Sequence, residues 1–163
     1  MEGTHLLLSL LWKAGYKVSQ KKAQICQDIV KYLGFYLSQG QYRLGPEKKK
    51  GVFSILDPKT CQQIREFLGA AGFCWILIPN YSLLTKPLYE ATEGGEEQEK
   101  AFKEIKKALT NAPTLGLPDV MKPFFLYVHE RLGTAMGVLT QLLGSWHHPV
   151  ACLSKQLDAV SRG

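Results

Sequence analysis

The chain has 163 residues, 45% of them hydrophobic and 21% charged, with a formal net charge of +6. That apolar fraction excludes wholesale disorder, and the length suits one domain or two small ones. The charge is unevenly shared: residues 1–88 carry twelve Lys and Arg against five Asp and Glu, whereas residues 89–163 carry eight against nine. A basic first half points to contact with a polyanion, the alternative being a solvated basic surface with no partner.

Leu6 to Trp12 (LLLSLLW) is too short to span a membrane, and no basic region precedes it as in a secretory signal. It reads as the buried side of a first helix ending near Gly15. Val18 begins a short extended piece. Ile29 to Leu37 alternates and is rich in aromatic and branched residues, as one strand would be, and Gly34 inside it marks a bulge or a close backbone approach. Ser38-Gln39-Gly40-Gln41 reads as a hairpin turn, with Tyr42-Arg43-Leu44 returning. Gly45-Pro46 breaks the pattern, and Lys48, Lys49 and Lys50 follow on an exposed helix or loop.

Thr60 and Gln63 have the spacing that opens a helix, a hydroxyl capping one free N–H and an amide reaching back to another. Ile64, Phe67, Leu68, Ala71, Trp75 and Ile78 form one apolar stripe, and Pro79 ends a helix of about five turns. Arg65, Gly69, Gly72 and Phe73 share the other face. Two glycines within a helix cost about 1 kcal/mol each relative to alanine. Either a neighbouring helix packs tightly there, or a nucleic-acid backbone or minor groove lies across the bare face with Arg65 and Phe73 beside it.

Glu93, Glu96, Glu97 and Glu99 resemble a metal cluster at first sight. Yet Phe102, Ile105, Ala108 and Leu109 have helical spacing, which puts the acids in a first turn and Lys103, Lys106 and Lys107 in later ones, as the helix dipole favours. Asn111 and Pro113 finish that helix. Pro123 to His129, Thr134 to Gln141 and Pro149 to Ser154 read as three strands with a turn at Gly133, and SKQLDAV (154–160) as a helix start. Such a meander leaves an apolar face and an edge open for a partner. His147 and His148 fall in a turn and suggest no metal. Cys26, Cys61, Cys74 and Cys152 lack metal-site spacing and read as core residues in a reducing intracellular compartment, cytoplasm or nucleus alike.

GYKVSQKKAQICQDIVKYLGFYL, IREFLGAAGFCWILIPNYSLLTKPLY, EEQEKAFKEIKKALTNAPTLGLPDVMKPFFLYV and GVLTQLLGSWHHPVACLSKQLD occur in that order and cover essentially the whole chain. Together they resemble reverse transcriptases of the gammaretroviral type, as a piece of an endogenous retroviral polymerase would. The resemblance implies an α+β fold in three parts. Residues 1–44 look like the end of the palm with its primer-grip hairpin, and 45–92 like a helical thumb. Residues 93–163 look like a truncated RNase H-like connection. It also implies that Leu33, Gly34 and Phe35 grip a primer end, and that Arg65, Gly69 and Phe73 follow a minor groove. Lys48, Lys49 and Lys50 would supply a basic flank. The expected partner is an RNA–DNA or DNA duplex, held weakly, salt-sensitively and without sequence preference. The remaining polymerase chain is a second candidate, and no membrane is expected.

The departures matter equally. The family polymerises with the carboxylates of a palm strand and a Y-x-D-D turn, but no Asp-Asp pair occurs here and Met1 falls just after that turn. Where related elements carry the first RNase H aspartate, this chain has His129, then Glu130, and it stops at Gly163 before further carboxylates. A neutral imidazole is a poor ligand for paired magnesium ions. The expectation is therefore no catalytic residue, no metal site and no cofactor, Mg2+ belonging to the intact family enzyme. Between Glu93 and Glu96 the chain is shorter than the family pattern and lacks a tryptophan, and Cys152 stands in place of a tyrosine. An interaction module and an inactive remnant are the alternatives.

Overall fold

A computed structural model describes residues 2–90 and 96–158. Glu93, the shortened stretch before Glu96, and Ala159 and Val160 of the expected last helix lie outside the described residues. The fold is α+β, with five helices and two antiparallel sheets among the described residues.

Helix α1 (Glu2–Lys13) forms as its leucine pattern requires, but the side expected to be buried is open. Leu6 is 63% exposed and Trp12 75%. Amphipathic spacing fixes which side is apolar, whereas burial needs a facing surface, and no described element covers this stripe. Residues 16–19 carry no strand and lead to a 3-10 turn, Gln20–Lys22.

The run read as one strand is two: β1 (Val30–Tyr32) and β2 (Phe35–Ser38), paired antiparallel with Tyr32 opposite Phe35. Leu33 and Gly34 are the two-residue turn between them, at φ 48° and 83°, so Gly34 marks no bulge. Gln39 and Gly40 repeat the device, at φ 51° and 71°, before β3 (Gln41–Leu44). Turns with both central residues left-handed match the strand twist and let the hairpins close tightly. Helix α2 (Pro46–Phe53) follows and carries the three lysines.

Helix α3 runs Cys61–Gly72 with Thr60 as its cap, the hydroxyl accepting from Gln63 N–H at 3.2 Å. The Gln63 amide accepts from Lys59 N–H at 2.8 Å, completing the expected start. The end differs from the expected five turns. The chain turns at Phe73 and Cys74 into a 3-10 turn, Trp75–Leu77. Had the helix continued, Trp75 would lie on the buried stripe and Leu77 off it. Turning early reverses them: Trp75 is 39% exposed and Leu77 0%.

Helix α4 (Tyr81–Glu90) and helix α5 (Glu96–Thr110) complete the helical part. The first-turn acids and the Glu99–Lys103 ion pair of α5 are as the charge pattern implies. Phe67 of α3 and Phe102 of α5 meet at 4.5 Å between ring centroids, in a core shared with Leu88, Ile105 and Leu109. The chain then returns to pair β4 (Leu115–Gly116) with β3, which puts α2 to α5 and the first sheet around one core.

The second sheet is a meander, β5 (Phe125–Arg131), β6 (Thr134–Leu143) and β7 (Trp146–Gln156). Strand β7 is longer than expected at both ends. His147 and His148 lie in it rather than in a turn, and Ser154–Gln156 continue it rather than starting a helix. Pro149 is tolerated because β7 is an edge strand and the register shifts at Leu139/Thr140. Val150, Ala151 and Cys152 are buried, whereas on β5 Leu126 and Val128 remain exposed on one face and Tyr127 on the other. Of the cysteines only Cys74 and Cys152 are core residues. Cys61 begins α3 at the surface, and Cys26 is exposed at φ 51°.

Candidate nucleic-acid interface

The Leu33–Gly34 turn, α2 and the end of α3 converge. The aliphatic stem of Lys48 runs under the turn, where a Cβ on Gly34 would lie 3.6 Å from Lys48 Cδ. The Lys48 ammonium sits 4.9 Å from the centroid of the Phe73 ring. That ring stacks on Phe35 at 5.4 Å and 27°. Gly34, Phe35, Lys48 and Phe73 therefore form one cluster, built from segments that are distant in sequence. Leu33 stands at its rim, 64% exposed.

The other expected residues divide. Arg65 and Gly69 lie on the open side of α3, where a Cβ on Gly69 would meet nothing within 4 Å. No helix covers Gly69, and a Cβ on Gly72 would touch only the Tyr81 hydroxyl, at 3.6 Å. Lys50 is exposed on α2. Lys49 faces inward and donates from Nζ to the Thr110 carbonyl at 2.9 Å, occupying the C-terminal end of α5 where a cation is favoured.

Three residues that composition and spacing did not single out hold the hairpin. Glu47 accepts from Lys31 Nζ at 3.0 Å and from the Tyr36 hydroxyl at 2.7 Å. Lys31 and Tyr36 are directly opposite across β1 and β2, so one carboxylate fastens both strands. The Tyr36 hydroxyl bond and then the bonds from its own backbone and Lys31 bring the Glu47 carboxyl down to about 2. An isolated acid beside a lysine run gives no local signal of this, since its partners lie on other elements.

A second polar set joins the second sheet to the first and to α4. The Tyr42 hydroxyl donates to the Val150 carbonyl at 2.8 Å, and Gln41 Nε2 lies 3.4 Å from His148 Nε2. Ser82 N–H donates to Ser154 Oγ at 2.9 Å and the Ser82 hydroxyl to the Ser154 carbonyl at 2.8 Å.

His129 and Glu130 are exposed on β5, and Glu130 accepts from the Gly133 N–H at 2.7 Å. An imidazole and a carboxylate engaged by the turn do not fit a magnesium pair, which prefers oxygen ligands. Among the described residues no group of three or more His, Cys, Asp or Glu is placed to hold a metal. No helix there is long and apolar enough to cross a membrane.

Comparison with known proteins agrees with this architecture. The family described as an RNase H-like domain found in reverse transcriptase matches residues 95–162. The chain is 54% identical to the Gag-Pol polyprotein of woolly monkey sarcoma virus over 99% of its own length and 10% of that protein. With the Gag-Pol polyprotein of gibbon ape leukemia virus the identity is 52%, over 99% of this chain and 10% of the polyprotein. The chain thus spans about a tenth of the length of these relatives. It also superimposes on the foamy viral protease-reverse transcriptase in complex with RNA/DNA hybrid, with a TM-score of 0.86 and 26% identity over 98% of this chain and 23% of that one. The same foamy viral protein in complex with dsDNA gives 0.80 and 27% over 94% and 34%. Over nearly its whole length the chain is thus similar to one stretch of retroviral Gag-Pol polyproteins, and residues 95–162 match the RNase H-like domain found in reverse transcriptase.

Proposed function

We propose that this region grips an RNA–DNA or DNA duplex by its backbone, without sequence preference and without catalysing bond formation or cleavage itself. The observation that carries the reading is the joining of Gly34, Phe35, Lys48 and Phe73 into one surface cluster on a body whose α3 also leaves Gly69 open. A bare backbone, an ammonium and a flat ring suit phosphate and sugar, which position a duplex but carry no base sequence. The foamy viral proteins of the same fold in complex with hybrid and dsDNA support the choice of ligand. The absence of an Asp-Asp pair and the His129–Glu130 arrangement support the lack of catalysis, with no cofactor required.

Titration of a labelled RNA–DNA hybrid at about 50 and 200 mM salt tests this, each phosphate contact adding about 0.9 to the magnitude of the log–log slope on B-DNA. Replacing Lys48, Lys50 and Arg65 by alanine is expected to weaken binding and flatten that slope. Binding indifferent to salt and to these changes overturns the reading.

Docking onto another protein chain is a second reading, favoured by the exposed leucine stripe of α1. Stoichiometric co-purification of a protein that is lost on replacing Leu6 and Leu10 by serine would favour it.

A further inference from the structure

Glu47 is an acid embedded in the most basic helix of the chain, between Pro46 and Lys48. By charge alone it opposes a polyanion, so its removal should strengthen binding. The geometry argues the opposite. Its carboxylate receives the Tyr36 hydroxyl on both oxygens, at 2.7 and 3.0 Å, and the Lys31 ammonium at 3.0 Å. The Lys31 ammonium also stands 5.1 Å from the centre of the Tyr36 ring, so the three groups close on one another. One turn away, Gly45 N–H donates to the Gly34 carbonyl at 2.9 Å, and a Cβ on Gly45 would lie 2.9 Å from that oxygen. On the far side of β1, the Gln24 amide both donates to and accepts from the backbone of Lys31, at 2.7 Å each way. The hairpin is thereby pinned to α2 on one side and to the preceding loop on the other.

We propose that Glu47 is a positioning residue, whose carboxylate fastens the β1–β2 hairpin to α2 and so fixes where the Leu33–Gly34 turn meets a duplex backbone beside Lys48 and Phe73. This rests on the duplex-gripping reading above. Glu47 touches no phosphate; it acts by holding Tyr36 and Lys31. Lys31 in turn is neutralised by it and adds little to the basic surface.

The test uses the full chain with an RNA–DNA hybrid at two salt concentrations, comparing wild type with Glu47→Ala, Glu47→Gln and Tyr36→Phe. Glu47→Ala is expected to bind about fivefold more weakly, the order of a lost hydrogen-bonded pair, despite removing a negative charge. Its salt slope should be no shallower than that of the wild type, because no phosphate contact is lost and Lys31 is freed. Tyr36→Phe should fall in the same direction with no change of charge, and Glu47→Gln, which keeps one acceptor oxygen, should lie between. Amide exchange at Gly45 should quicken in Glu47→Ala while that of Phe67 in the core stays slow. Equal or tighter binding by Glu47→Ala and Tyr36→Phe, with the wild-type chain binding normally, overturns the positioning role alone. A wild-type chain that fails to bind overturns the duplex reading, and this proposal with it.

Discussion

Leu33 occupies a conformation that leucine avoids. At φ 48° a side chain with a Cβ crowds the following carbonyl, a cost of about 1–2 kcal/mol. Its side chain recovers little of that by burial, being 64% exposed. Strain of this kind clusters at binding sites, although Leu132 of the β5–β6 turn, at φ 52°, shares it. Asparagine followed by glycine is the pair that such a turn prefers. Leu33→Asn is therefore expected to raise the thermal midpoint by about 2–4 °C, the shift that 1 kcal/mol produces in a domain of this size. The same change should weaken hybrid binding, because the apolar tip is gone. A variant that is more stable and binds as before would show that Leu33 touches no duplex.

The proposed duplex grip sets stability against binding at the level of an element too, in α3. Gly69 weakens the helix, and a Cβ there would meet nothing within 4 Å, so packing gives no reason for it. Gly69→Ala is expected to stabilise the chain by about 1 kcal/mol in denaturant unfolding. If a sugar–phosphate backbone lies against this face, the added methyl lowers hybrid affinity; unchanged affinity would remove α3 from the interface. The start of α3 could be read directly, since Thr60 and Gln63 act on neighbouring N–H groups. Its end could not. Phe73 leaves the helix to stack on Phe35, a residue 38 positions earlier, and that distant contact decides that Leu77 rather than Trp75 is buried. The Leu33–Gly34 turn was hidden for a different reason: leucine is a poor signal for a left-handed position, so unbroken alternation suggested one strand. Glu47 was hidden because its partners lie on β1 and β2. The α3 cap is legible because cause and effect lie within one turn of each other, whereas a left-handed leucine and contacts between distant elements leave no such mark.

At the scale of the molecule, a polar seam joins the RNase H-like sheet to β3 and α4. Tyr42 to Val150 and Ser82 to Ser154 are its hydrogen bonds, and they tie residues of all three parts that the sequence implies. Burial pushes the Tyr42 phenol up to about 12, so the donor keeps its proton. The sign follows from a raised value: its contribution is whole below the ordinary tyrosine range of about 10 and is lost only as pH rises through the folded value. Neutral pH changes leave the seam intact, and mutation is needed to open it. Tyr42→Phe removes the donor without a cavity, at about 1 kcal/mol, and Ser154→Ala removes the acceptor for Ser82 N–H at a similar cost. Since β5 and β7 are both edges of their sheet, loosening the seam should let that sheet open before the helical core does. The double variant is expected to show faster amide exchange across β6 and β7, with the amides of Phe67 and Ile105 protected as in the wild type. Hybrid affinity should hardly move, because phenylalanine at position 42 keeps the ring that packs edge-on against Phe35 of the cluster, 5.8 Å between centroids. Exchange that rises equally in both parts would mean that the two sheets open as one cooperative unit, and the seam would then contribute to global stability alone.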